Sequence, residues 1–442
     1  MVEASFTPED LEVARAAVAA ASDAFAHMSV VTDKQISQFF RSFADALSDE
    51  QTWGAIADAN QGDVDRARDA GKQVNRLVAS TKMRGAMIDG LDGWAKAPCR
   101  RGEVIERREG PDWIVERRRA ALGVVAFVFE GRPNVFADGV GVLRGGNTSV
   151  MRIGSDALQT AEAIEAKVVK PALHSSGLPD GAVTLVRSAT HGAAQALFTL
   201  PDIRLAVARG SGAVTRMLGQ IATQHGIPAS LHGTGGAWMY IADDADEQTA
   251  RNAIVASLDR KVCNTLNTLV IPRARGHALV PLVLEALETL EEGYVLHVAS
   301  GSELDIPSTY VEKGRQIDVI PVVELASEWE WETIPELSLV YADNDDDAVR
   351  LINTYSPRFV ASMITTDAER FERFYESVDA PYVSDGFTRW VDGQWAWGRP
   401  ELGLSNWERG RIIGRSGILS GDDVFTVRDV FRDLSKKGTQ HR

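Results

Sequence analysis

Cysteine is nearly absent from this sequence of 442 residues, occurring only as Cys99 and Cys263. Two thiols cannot supply the disulfide framework usual in secreted proteins, so a reducing compartment, the cytoplasm, is expected. Positive charge is also short. A formal net charge of -15 leaves no basic surface of the kind a phosphate backbone requires, which excludes nucleic acid as the main partner. No apolar run approaches the ~20 residues that cross a bilayer. The acidic start, Met1 to Phe6, lacks the basic-then-apolar order of a signal peptide, so no membrane partner is expected. The eight histidines are scattered without metal-ligand spacing, so no metal is expected. Low complexity and internal repeats are missing as well. What remains is an ordinary globular composition, 44% hydrophobic and 25% charged, long enough for two or three domains and suited to small-molecule chemistry.

Along the chain, the first hundred residues carry apolar positions at helical spacing, around Leu11 to Val18 and Ile36 to Ala44. Arg101 to Arg117 forms two alternating runs about Glu109-Gly110-Pro111-Asp112, the pattern of a β-hairpin. Leu122 to Phe129 reads as a buried parallel strand. Strands and helices then alternate: strand Thr148 to Ile153, helix Asp156 to Ala172, strand Ala182 to Val186, helix His191 to Phe198, strand Leu205 to Ala208, helix Gly212 to Gln224. A second α/β stretch begins near His232, with strand Trp238 to Ile241, helix Glu247 to Leu258 and strand Leu266 to Ile271. This alternation predicts an α/β fold built on doubly wound parallel sheets, with ligands at the C-terminal strand ends. Glu328 to Glu336, charge-rich with Trp329 and Trp331, reads as exposed.

Four segments carry chemistry. In Glu130-Gly131-Arg132-Pro133-Asn134-Val135, past a strand, Asn134 is either a turn residue after proline or an amide aimed where an oxyanion forms. In Arg152-Ile153-Gly154-Ser155-Asp156, Ser155 and Asp156 are good helix N-caps, and Arg152 with Asp156 is either a solvated arginine beside a capping pair or a cation–anion pair suited to an adenosine ribose or its phosphate. In Arg209-Gly210-Ser211-Gly212, glycines before a helix allow close approach of a pyrophosphate, although Thr215 breaks the G-x-G-x-x-G pattern. In Arg260-Lys261-Val262-Cys263-Asn264-Thr265, a thiol beside two cations at a loop-to-strand junction is either an activated nucleophile or structural. Cys99, between Pro98 and Arg100, is the rival thiol on a surface turn. His232 precedes the glycine loop Gly233-Thr234-Gly235-Gly236.

In this order the segments resemble the γ-glutamyl-phosphate reductase family, a branch of the aldehyde dehydrogenase superfamily. Glu130 to Val135 is close to E-S-R-P-N-V. Leu143-Arg144-Gly145-Gly146-Asn147 is similar to L-K-S-G-N, and Arg152 to Ala157 to R-G-G-S-E-A. Val262-Cys263-Asn264 matches V-C-N at the catalytic cysteine, and Glu401-Leu402-Gly403-Leu404-Ser405 resembles E-I-G-I-S. Two stretches depart from the family: Tyr355 to Val360 stands where it has G-H-T, and Trp390, Trp395 and Trp397 are heavier.

The resemblance implies an NADPH-dependent reduction, with NADH possible, of an acyl phosphate to its aldehyde. In it Cys263 is the nucleophile and Asn134 the oxyanion donor. Arg152, Ser155 and Asp156 fall at the adenosine end, and Arg209, Gly210, Ser211 and Gly212 at the cofactor phosphates. Arg132, His232, Asn264, Arg389 and Glu401 are expected to bind substrate. The implied domains are 1–231 for the dinucleotide, with an oligomerisation hairpin about 101–118, 232–385 for catalysis, and 386–442 as a C-terminal return in a homodimer or homotetramer. Hydrolytic aldehyde dehydrogenases carry a glutamate base in an E-L-G-G stretch; here Gly226 to Ala242 holds no acid, so hydride or phosphate is expected to meet the thioester. An acyl-CoA reductase and a non-catalytic nucleotide-binding paralogue are the alternatives.

Overall fold

The computed structural model describes residues 3–72, 74–303, 305–306, 315–398, 407–408, 411–412, 424–436 and 438. The chain divides into two units, one of residues 1–233, 399–406 and 413–442, the other of 234–398 and 407–412.

The first unit opens with four helices, Pro8–Met28, Asp33–Ser48, Glu50–Asp69 and Thr81–Lys96. Reciprocal capping boxes, Thr7 with Asp10 and Thr32 with Gln35, start the first two by satisfying N–H groups left open at a helix end. The hairpin strands β1 (Val104–Gly110) and β2 (Trp113–Ala121) follow, turning at Pro111-Asp112 as predicted. The C-terminal strand Phe425–Asp433 pairs antiparallel with β2. Next come β3 (Val124–Phe129), β4 (Thr148–Ile153), β5 (Val183–Leu185), β6 (Ile203–Arg209) and β7 (Ala229–His232). They form one parallel sheet in the order β5-β4-β3-β6-β7.

All six residues of β3 are buried, because alternate side chains point to opposite faces and both faces are covered. Val125, Phe127 and Phe129 pack with Phe39, Phe43, Leu91 and Trp94 of the N-terminal helices. Val124, Ala126 and Val128 pack with Val18, Leu218 and Ile221 on the other face. The helix after β4 differs from expectation. Ser155 and Asp156 lie in a short 3-10 turn, and neither caps the helix Leu158–Ile164. The cap comes from a distant residue: Thr160 N donates to the Asp63 carboxylate at 2.7 Å.

The second unit is built on a parallel sheet of seven strands: β8 (Ala237–Ile241), β9 (Leu266–Pro272), β10 (Val295–Ala299), β11 (Gln316–Ile320), β12 (Glu336–Ala342), β13 (Val360–Ile364) and β14 (Tyr382–Ser384). Their order is β11-β10-β12-β9-β8-β13-β14. Helices Glu247–Ala256 and Gly276–Glu288 cover one face through Ile254, Val283 and Leu287. Helices Asp345–Tyr355 and Ala368–Ser377 cover the other through Leu351, Ile352 and Phe374. Among the described residues no helix is long and apolar enough to cross a membrane.

Candidate active site

In the first unit the chain enters the sheet at β3, builds outward to β4 and β5, then returns to the other side for β6 and β7. The reversal falls between β3 and β6, and such a switch opens a crevice at the C-terminal strand ends. Glu130 and Arg209 sit on its two sides, Arg209 Nε lying 3.2 Å from Glu130 Oε1. Arg132 Nε approaches the same oxygen at 2.9 Å, and Arg209 Nη1 lies 3.8 Å from Asp138 Oδ2. Burial pushes Asp138 up to about 7, against the pull of Arg209 and Arg132. Burial also works against the charge of Glu130, but Arg209 and Arg132 outweigh it and hold that carboxyl below its usual range. His232 pairs in register with Arg209 across β6 and β7. Burial, and then the Arg209 charge, drive it down to about 3, so its imidazole is neutral at pH 7. Arg132, Arg209 and His232, assigned to different ligands from sequence, therefore form one half-buried polar group around Glu130.

Asn134 opens the short helix Val135–Gly139 without capping it by its side chain, and its Oδ1 has no hydrogen-bond partner among the described residues. The short helix thus makes no use of the Asn134 side chain as a cap. Gly131 and Gly154 bring the β3 and β4 ends together: a Cβ on Gly154 would stand 2.5 Å from Gly131 N. Arg152 is 3% exposed and its Nη2 donates to the carbonyls of Ala189 at 3.3 Å and Thr190 at 2.8 Å. Asp156 instead meets Lys72, whose Nζ donates to it at 2.7 Å with both side chains about half exposed. Sequence reading passed over Lys72. Ser211 precedes the helix Gly212–Gln224 and makes no side-chain capping bond, leaving the first N–H groups of that helix for an anion.

In the second unit the thiol lies at the N-terminal strand ends, opposite to the edge used in the first. Cys263 rides on a tight turn in which Thr265 N donates to Val262 O at 3.1 Å and Val262 N to Thr265 Oγ1 at 2.9 Å. Gly236 N donates to Cys263 O at 2.7 Å. Gly235 abuts Cys263 so closely that a Cβ there would stand 2.6 Å from Cys263 Cα and O. Asn264 is 3% exposed, and its carbonyl accepts from Thr388 Oγ1 at 2.7 Å. That contact brings Arg389 to the same turn, where its Nε lies 3.4 Å from Asp259 Oδ1. Glu401 lies outside the described residues.

Two expectations need correction here. Lys261 is not an open cation beside the thiol: it is buried and its Nζ donates to Glu328 Oε1 at 2.8 Å. Nor is Glu328 to Glu336 simply exposed. Glu328 Oε2 accepts from Gly235 N at 2.6 Å, and the Trp329 ring stacks on His297 at 3.8 Å. The acid missing from the Gly226 to Ala242 stretch thus arrives from far along the chain. Cys99, the rival thiol, is half-buried, with Sγ donating to Arg144 O at 3.7 Å. The arginines after it are engaged elsewhere, Arg100 with Glu103 at 2.9 Å and Arg101 with Met28 O at 2.8 Å.

The sequence profile of the aldehyde dehydrogenase family matches residues 3–302. A gamma-glutamyl phosphate reductase of Dictyoglomus thermophilum is 26% identical over 390 residues, 86% of this chain and 89% of that protein. The crystal structure of gamma-glutamyl phosphate reductase from Thermotoga maritima shares the fold with a TM-score of 0.84 at 22% identity, covering 95% of this chain and 98% of that one. A Rhodopseudomonas palustris propionaldehyde dehydrogenase, solved with bound CoA and an acylated cysteine, has a TM-score of 0.65 at 16% identity over 94% and 96%. With its profile match running over more than half the sequence, the chain belongs to the aldehyde dehydrogenase family, oxidoreductases that work with nicotinamide cofactors.

Proposed function

We propose that this enzyme reduces an acyl phosphate, γ-glutamyl phosphate or a relative of it, to the aldehyde, with NADPH preferred to NADH. The observation that carries the reading is the platform at Cys263: a thiol on a pinned turn, faced by a glycine loop, with the nearby acid of Glu328 committed on both oxygens. The family match and the named relatives support the same chemistry.

Cys263 attacks the acyl carbon as a thiolate, and the C–O bond to phosphate breaks to leave a thioester and inorganic phosphate. Asn134 is assigned as a side-chain donor to the oxyanion, and the Cys263 backbone N–H as a second; one such donor is worth roughly 3 kcal/mol of barrier. A bound nicotinamide would supply a hydride to the thioester carbon, and breaking the C–S bond would then release the aldehyde and return the Cys263 thiolate. The uncapped start of Gly212–Gln224 fits the cofactor phosphates. Ser155, Asp156 and Arg152 are assigned to the adenosine end, with Lys72 as the solvent-facing cation there. Arg132, His232, Asn264 and Arg389 are kept for substrate. Residues 1–231 are assigned to the dinucleotide, 232–385 to catalysis and 386–442 to the C-terminal return. The sheet of β1, β2 and Phe425–Asp433, with Ile105, Val427 and Phe431 exposed, is assigned to assembly into a homo-oligomer. Two free thiols suit the cytoplasm.

Run in the oxidative direction over a panel of aldehydes, the enzyme should require inorganic phosphate and release an acyl phosphate. A requirement for CoA instead would make it a CoA-acylating dehydrogenase, and free acid without either acceptor would make it a hydrolytic one. Cys263→Ala should abolish turnover while Cys99→Ala stays active; turnover surviving in the Cys263 variant would end the covalent mechanism.

A further inference from the structure

The N-terminal edges of β12, β9 and β8, three neighbours in the sheet, carry a buried ion pair that the mechanism above leaves without a task. Lys261 and Glu328 have side chains only 4% and 15% exposed and meet at 2.8 Å. The second oxygen of Glu328 accepts from Gly235 N, and Gly235 lies against Cys263 with no room for a side chain. Lys261 is two residues from Cys263, so their Cα atoms are within about 7.6 Å. The segment holding Glu328 is itself fixed. Asn267 Nδ2 donates to Ser327 O and Asn267 Oδ1 accepts from Trp329 N, both at 2.9 Å. The Trp329 indole donates to Ser338 Oγ at 2.8 Å. Other charged or titratable groups on these segments are Arg260, Glu324, Glu330 and Glu332, the pair Arg389 and Asp259, and His297 with Glu336 and Asp318 behind Trp329.

We propose that Glu328 is a positioning residue for Cys263, acting in two ways: its carboxylate seats the glycine loop against the nucleophile, and it cancels the charge of Lys261. This deepens the reading of Cys263 as nucleophile and rests on it. A lone buried ammonium this close would draw the thiol toward thiolate. Paired with Glu328, it leaves the resting thiol beside a neutral dipole instead. Lys261, two residues from the nucleophile, thereby becomes a structural cation rather than an activating one.

The test reads the thiol directly, without turnover, in the Cys99→Ala protein. The rate of iodoacetamide alkylation of Cys263 is followed against pH in Glu328→Gln, Lys261→Met and the double variant. Glutamine keeps an acceptor for Gly235 N–H but frees the Lys261 charge, so its alkylation midpoint should fall by about one pH unit, making it roughly tenfold faster below both midpoints. Lys261→Met should raise the midpoint, and the double variant should return toward the parent. A midpoint that stays or rises in Glu328→Gln overturns the charge role. If that variant does not fold, a midpoint that stays or falls in Lys261→Met overturns it. For seating, kcat should fall at least tenfold further in Glu328→Ala than in Glu328→Gln, and equal kcat values overturn that part. Failure of the nucleophile reading shows separately, as turnover in Cys263→Ala.

Discussion

Replacing Gly235 with alanine adds a methyl group where Cys263, the proposed nucleophile, already stands. The new carbon would lie 2.6 Å from Cys263 Cα and O and 2.8 Å from Cys263 Cβ, whereas ordinary contact begins at 3.4 Å. Two of these atoms are backbone, on a turn tied at both ends, so no flexible side chain can yield. The glycine loop or the cysteine turn must then move by about 0.8 Å, the shortfall at the closest contacts. A misplacement of about 1 Å at reacting groups costs on the order of a hundredfold in rate. Gly235→Ala should therefore lose roughly a hundredfold in kcat while folding and binding cofactor, since the cofactor residues assigned above precede Gly235. Steady-state kinetics with intrinsic-fluorescence titration of the cofactor separate the two effects. Gly85→Ala is the control: it lies inside a helix with nothing within 4 Å of the added carbon, so it should be neutral or stabilising by up to about 1 kcal/mol. Full kcat in Gly235→Ala would show that the nucleophile does not depend on this contact, and the seating argument for Glu328 would fall with it.

Three other outcomes are expected. Asn134→Ala should lower kcat roughly a hundredfold with KM little changed, because the donor acts mainly on the developing oxyanion; a change confined to KM would make Asn134 a substrate contact. Lys72→Ala should narrow the preference for NADPH over NADH more than Arg152→Ala does, since the Arg152 guanidinium donates to backbone carbonyls; the reverse order in the ratio of kcat/KM values would return the ribose end to Arg152. Asp138, raised from 3.8 to about 7 by burial, binds a proton more tightly folded than unfolded. Its contribution to stability is complete below pH 3.8 and is lost as pH rises through about 7. Asp138→Asn should flatten that part of the urea-midpoint profile, and parallel profiles for the two proteins would refute the burial argument.

What the sequence made legible is what repeats locally. Strand Thr148–Ile153 and helix Gly212–Gln224 have the predicted bounds, because hydrophobic period and glycine punctuation lie within each segment. The hairpin was legible from its Gly-Pro-Asp turn between alternating runs. What escaped reading depends on residues far apart in the chain. The helix after β4 looked self-capped by Ser155 or Asp156, but Asp63 takes the N–H of Thr160 from 97 residues away. Asp156 is occupied by Lys72 across 84 residues. A capping preference ranks local candidates only and carries no term for a stronger acceptor supplied by another helix.

The same limit bears on the fate of the thioester. From the sequence, resistance to water rested on an absence, the lack of an acid between Gly226 and Ala242. In the folded chain an acid does reach that loop, because Glu328 joins Gly235 across 93 residues. Its only local signal was a glutamate just ahead of Trp329 in a charge-rich run before a strand, a pattern that read as solvated surface. Resistance to hydrolysis therefore has to come from how the acid is held. Its two oxygens are held by the buried Lys261 ammonium and by Gly235 N–H, so one of these bonds must break before the carboxylate can serve a water. General-base assistance is worth about 10²–10⁴-fold to an attacking water, and on the proposed mechanism the grip of Lys261 and Gly235 on both oxygens, rather than the lack of a carboxyl group, is what withholds it.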